Sequence, residues 1–225
     1  IWTSATQDST NSTLLGSSTT YTNSLWVAGS DAVTAWKSNA ALGWYNEAFS
    51  TTRGSRKKFP DRVFLNGNSN GLDVIDQTNN QLFMRFNKGA GKAIDSNFGD
   101  VRSVFALNGK IFVGMRDATP TTGTLIVIDF SANTVTRYDS AGKYTWNGGG
   151  VESRNSASTW TNNGGSPALP SSIVYAVHGR RIGAVDSALI GTATGVSLYQ
   201  NNAGTITMYK DPTANAVMAT NLTSG

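Results

Sequence analysis

Val101–Asp139 reads VRSVFALNGKIFVGMRDATPTTGTLIVIDFSANTVTRYD, and this stretch decides the fold. It holds four apolar runs, near 101–107, 110–116, 124–130 and 134–139, divided by short polar punctuation. Each run is too short for a helix and is rich in β-branched and aromatic residues, which marks a strand. Asn108-Gly109, between the first two runs, is a two-residue hairpin signal, because both turn positions need positive φ. The phrase returns in Ile173–Lys210, with strands expected near 173–178, 187–193, 195–200 and 204–210. A shorter copy, Arg62–Phe86, predicts strands near 62–67, 71–76 and 81–86. Each copy ends in a Gly-led apolar strand, a polar turn with Asn or Gly, and a return strand with an aromatic near its end. Repeated units of this kind bury their faces against their neighbours.

The spacing predicts an all-β chain of repeated four-stranded antiparallel units. Four such strands in about 40 residues is the arithmetic of a β-propeller blade. Residues 1–60 read as a separate N-terminal part. A Ser/Thr-rich lead-in is followed by a hairpin over 24–37, a short helix or aromatic loop over 41–49, and a basic loop over 50–60. Residues 61–225 carry the repeat units, in one domain overall. Within them 140–170 reads as a long inter-unit loop, and 214–222 as the first strand of a further unit. The chain opens on Ile1 rather than Met, and reads as a piece of a longer polypeptide.

Composition narrows the chemistry. Charged residues make up 14% of the 225 residues, against about 25% in typical soluble domains. With 24 Gly and 5 Pro, this is the profile of short strands joined by tight polar turns. The chain has no Cys and one His, which excludes disulfides, a thiolate nucleophile and any Cys or multi-His metal site. No apolar run approaches the ~18 residues of a membrane span. The net charge is +4. Part of it is the run Arg53, Arg56, Lys57 and Lys58, which reads as a solvated loop rather than a nucleic-acid surface, because no aromatics are interleaved with it.

GLDVIDQTNNQLFMRF (71–86) and GTLIVIDFSANTVTRYD (123–139) resemble blades of the β-propeller superfamily. The longer series adds SVFALNGKIFVG (103–114) and ATGVSLY (193–199). It is similar to propeller-like segments of large virion proteins of marine tailed phages, where such a segment often precedes a lectin-like domain. The resemblance implies a virion or extracellular setting, and partners that are other virion or appendage proteins and further copies of the same chain. It supplies no catalytic residues. The third-strand landmarks near 71, 123 and 195 are unevenly spaced, so an incomplete or irregular ring is expected.

Asp73, Asp76 and Asp129 are expected at strand ends, accepting backbone N–H groups of the next turn. His178 reads as a turn or core residue, since no nucleophile motif accompanies it. Glu47 and Glu152 are the only glutamates, and Glu152 reads as a loop ion-pair partner of Arg154 rather than as half of a glycosidase pair. Trp26 and Trp36 are expected in the core. Trp44, Tyr45, Trp146 and Trp160 are expected in loops, where aromatics can stack on sugars or anchor a partner. They are the candidate ligand-binding residues. No catalytic residue, metal or cofactor is expected. The functional expectation is a non-enzymatic structural component serving assembly and presentation. The alternatives are a module binding a cell-surface glycan or receptor, and an enzyme acting on polysaccharide.

Overall fold

The computed structural model describes residues 23–28, 35–182, 185–202 and 205–211. The chain is all-β, with three antiparallel sheets that follow one another in sequence. The first sheet has the order β1 (Asn23–Ala28), β2 (Arg62–Asn68), β3 (Gly71–Asp76) and β4 (Gln81–Asn87). The second starts with β5 (Asp100–Leu107), β6 (Lys110–Arg116), β7 (Gly123–Asp129) and β8 (Thr134–Asp139), and continues through β9 (Gly142–Trp146) to β10 (Trp160–Asn162). The third holds β11 (Val174–Ile182), β12 (Val185–Thr192), β13 (Gly195–Asn202) and β14 (Thr205–Asp211). One short helix, α1 (Gly43–Asn46), lies between β1 and β2. Among the described residues no ring of sheets closes.

The turns form as their residues dictate. Asn108 and Gly109 take φ of 47° and 77° and close β5 on β6. The repeated Asp-to-Asn phrase also has a physical role. Asp76 and Asp129 end their strands and accept the N–H groups of Thr78, and of Ser131 and Ala132. Four residues on, Asn80 and Asn133 take the positive φ that brings the chain back. Asp73 differs from expectation. It lies within β3 and forms a two-pronged pair with Arg85.

The second sheet is the middle layer. β5 packs on β1 and β2, and β11 packs on β5 and β6. β6 and β7 are therefore buried on both faces, apart from their final residues. Ile111, Val113, Ile126 and Ile128 line one face, and on the other Phe112 and Tyr138 meet Tyr199 of the third sheet. Small residues let the layers approach. A Cβ at Gly67 would strike Val101, and one at Gly114 would strike Val174. Ile128→Ala should cost about 2–5 kcal/mol, read from urea denaturation midpoints. A change within about 0.5 kcal/mol would remove this strand from the core.

Of the apolar residues that the predicted strands turn toward a core, Val104, Phe105, Ile111, Val113, Ile126, Ile128 and Val174 are buried. Val196 is half-buried. Alternation along β13 puts it on the face away from the second sheet, where no further sheet is described.

Two other expectations are corrected, and a third lies partly outside the described residues. The hairpin expected over 24–37 has its turn and most of its second strand there, at 29–34; of its described ends, β1 pairs with β2 and Ala35–Ser38 is a 3-10 turn. Residues 140–170 are not one long loop, because they return β9 and β10 to the edge of the second sheet. Arg53 is not solvated but fully buried. The expected strand at 214–222 lies outside the described residues, as does the lead-in over 1–24 apart from Asn23 and Ser24, which open β1.

His178 is buried within β11, its ring 4.9 Å from that of Phe105. Burial, with Arg180 adding to it, holds its pKa below the ordinary 6.5. The fold thus favours the neutral ring, while the unfolded chain takes up a proton near 6.5. Stability should be complete above that pH and decline as pH falls through it. His178→Phe should flatten this decline in thermal melts between about pH 7.5 and about pH 5; an equal decline in the variant would assign it to other groups.

Candidate functional site

The four candidate aromatics do not form one site. Trp44 and Tyr45 are neighbours on α1, and Trp146 and Trp160 face each other across β9 and β10.

Trp44 is fully buried. Its ring lies 5.6–6.3 Å from Phe59, Phe83 and Phe130, and its indole N–H donates to the Phe130 carbonyl at 2.8 Å. Trp146 is also buried, donating to the Gly91 carbonyl at 3.0 Å. Neither offers a ring face to a ligand. A buried indole needs an acceptor for its N–H, and in both cases the acceptor is a carbonyl distant in sequence. Trp160 is half-buried and donates to Asp95 at 3.2 Å. Trp146 and Trp160 thus clamp the 88–99 connector onto the second sheet. Tyr45 is half-buried, with the Lys57 ammonium 5.9 Å from its ring centre.

An aromatic slot of the kind that takes cations does exist beside Trp160, but the protein fills it. The Arg137 guanidinium lies 3.8 Å from the ring centre of Tyr144, 4.3 Å from Phe98 and 5.3 Å from Trp160.

The charged groups nearby are also committed. Arg154 is fully buried. It donates to the carbonyls of Arg85, Thr52 and Val151, and to Glu47 at 2.6 Å. Arg53 donates to the carbonyls of Gly54, Phe83 and Lys57, lies 4.6 Å from the centre of the Phe83 ring, and is 3.8 Å from Glu47. Burial pulls its pKa down to about 10, and Glu47 opposes the shift. Two guanidiniums thus share one carboxylate at the junction of β4, the 47–57 segment and the 151–155 turn. The expected Glu152–Arg154 ion pair does not form. Glu152 accepts from Asn133 at 2.9 Å instead, leaving neither glutamate free.

A further cavity was not anticipated from the sequence. It lies on the outer face of the first sheet, holds about 590 Å³, and is lined by residues of β2, β3 and β4 and the turns between them. Strand register builds it in rows. Asn66, Asp73 and Arg85 form one row, and Asn68, Gly71 and Asn87 the next. On the other side of the first row, Phe64 and Ile75 are register partners and Ile75 pairs with Leu82, all three half-buried. Gly71 sits at φ 132°, and a Cβ there would overlap the Phe86 carbonyl, so the second row keeps a notch between its two asparagines. Among the described residues, Asn66 is 6% exposed and its Oδ1 has no hydrogen-bond partner. The signal in the sequence was the polar residue facing outward on each of three successive strands. It becomes visible only once the register is known.

No protein-family model matches the chain, and no curated protein matches it.

Proposed function

We propose that the chain is a non-catalytic, propeller-type structural module of a virion or surface appendage, serving assembly and presentation. One observation carries this reading. In the stack of three sheets the middle one is covered on both sides, whereas the outer face of the third is apolar and half open. Leu189 and Leu198 are register partners on that face, with Val196 beside them, and all three are half-buried. On the opposite face of the same strands, Ala188 and Tyr199 are buried against the second sheet. A half-open apolar face on a sheet is a surface for a further sheet, and the occupant we assign is a second copy of this chain. The resemblance over residues 60–220 supports the virion setting, and the commitment of both glutamates supports a non-catalytic role.

Sedimentation of the chain over a range of concentrations tests this. The expected result is self-association that Leu198→Lys abolishes while the circular dichroism spectrum stays the same. A wild-type chain that remains monomeric throughout would overturn the assembly reading.

A further inference from the structure

We infer that the asparagine-lined groove on the first sheet is a binding site for a neutral, hydroxyl-rich ligand of the saccharide class. This rests on residues and a face separate from those that carry the assembly reading.

The buried Oδ1 of Asn66 is the first reason. A buried amide oxygen without a donor is costly, because it has lost water and gained nothing. Here it lies in the wall of a cavity large enough for a ligand, and what would satisfy it is an O–H or N–H donor arriving from that cavity.

Charge supplies the second reason. Asp73 and Arg85 lie in the same row as Asn66, and they are tied to each other by bonds of 2.6 and 3.1 Å. Their charges cancel, and the adjoining row is amide, so the lining has no net charge to attract an ion. The Arg85 side chain remains 45% exposed and that of Asp73 17%. The fork therefore keeps free edges that can donate to and accept from vicinal hydroxyls.

The third reason is the pairing of rows. A polar row lies beside an apolar one on the same face of the sheet, and Ile75 and Leu82 of that apolar row line the cavity. A pyranose has a hydroxyl edge and a C–H face, and so matches both rows at once. A free anion matches only the polar one. The notch at Gly71 lets a ring approach the backbone between Asn68 and Asn87.

The probes are neutral hexasaccharides of glucose, mannose and galactose, with sialylated and sulfated oligosaccharides as the charged arm. Binding is followed through side-chain amide signals in nitrogen-15 NMR of the full chain. At least one neutral probe is expected to bind in the millimolar range and to shift asparagine side-chain amides. Asn66→Leu should weaken that binding about tenfold or more. Asn68→Ala, at a half-buried position, should weaken it several-fold with the fold unchanged, which covers the case in which the Asn66 variant does not fold. Binding confined to the charged probes, no binding by any probe, or binding untouched by Asn68→Ala would each overturn the assignment. None of these outcomes depends on whether Leu198→Lys alters self-association.

Discussion

Replacing Arg154 by Met is expected to lower the stability of the fold by about 3–5 kcal/mol, the cost of breaking a buried ion pair from one side. The Met side chain has similar length, so the loss is not one of volume. It arises because Glu47 would keep only the more distant Arg53, and because the carbonyls of Arg85, Thr52 and Val151 would lose their shared donor in a dry interior. Arg154→Lys should recover only a small part. It restores the charge, but a single ammonium cannot span four acceptors set around a planar fork. The contrast is Arg85→Gln, whose exposed pair with Asp73 should be worth less than about 1 kcal/mol. Urea denaturation of the three variants reads the differences directly. If Arg154→Met and Arg85→Gln have equal effects, the buried guanidinium does not hold the junction together.

Trp44→Ala should cost a similar amount, about 3–5 kcal/mol, from the lost ring and the cavity it leaves. Trp44 sits among Phe59, Phe83 and Phe130, so residues from β4, from the 47–60 segment and from the turn after β7 all lose a neighbour. Trp44→Phe separates packing from hydrogen bonding. It keeps most of the aromatic contact but leaves the Phe130 carbonyl without its donor, for an expected loss of about 1–3 kcal/mol. Wild-type stability in the Phe variant would mean that this hydrogen bond contributes nothing net. Neither Trp44 variant should alter saccharide binding in the groove, and a selective loss of binding with stability intact would return Trp44 to the list of ligand-contacting residues.

Strands β2 to β8 were legible because their signals are local. In NGK the turn chemistry sits between two apolar runs, and in DFSAN the Asp and Asn that shape the turn are four residues apart. Nothing distant is needed to read them. β9 and β10 were not legible, because the alternation in KYTW is a single short one beside a run of glycines, and WTN is only three residues long. They become strands because β8 offers an edge with which they can pair. The aromatics failed for a related reason. Trp44 and Trp146 lie in segments that look like loops, and a loop residue is expected at the surface. What buries them is an acceptor 86 and 55 residues away in the chain. Arg53 shows the same effect with charge: in a run of basic residues, one guanidinium finds three carbonyls and leaves water. The groove was invisible for a geometric reason. Asn66, Asp73 and Arg85 become neighbours only through the register of three strands, and that register includes a shift between Val74 and Ile75.

The pairing of β1 with β2 bears on how the molecule comes to be made. Every other neighbouring pair within a sheet is joined by a hairpin or a modest return, so each can zip as soon as its second strand leaves the ribosome. β1 emerges before all of them, yet its partner lies beyond residues 29–61. Closing that span costs loop entropy before any ladder bond is gained. β1 must therefore wait with its hydrogen-bonding edge open until β2 has been synthesised, and it gains its full packing only when β5 follows. Among the described strands, the earliest translated is thus among the last to be secured, and it has the longest interval in which to meet a strand from another chain.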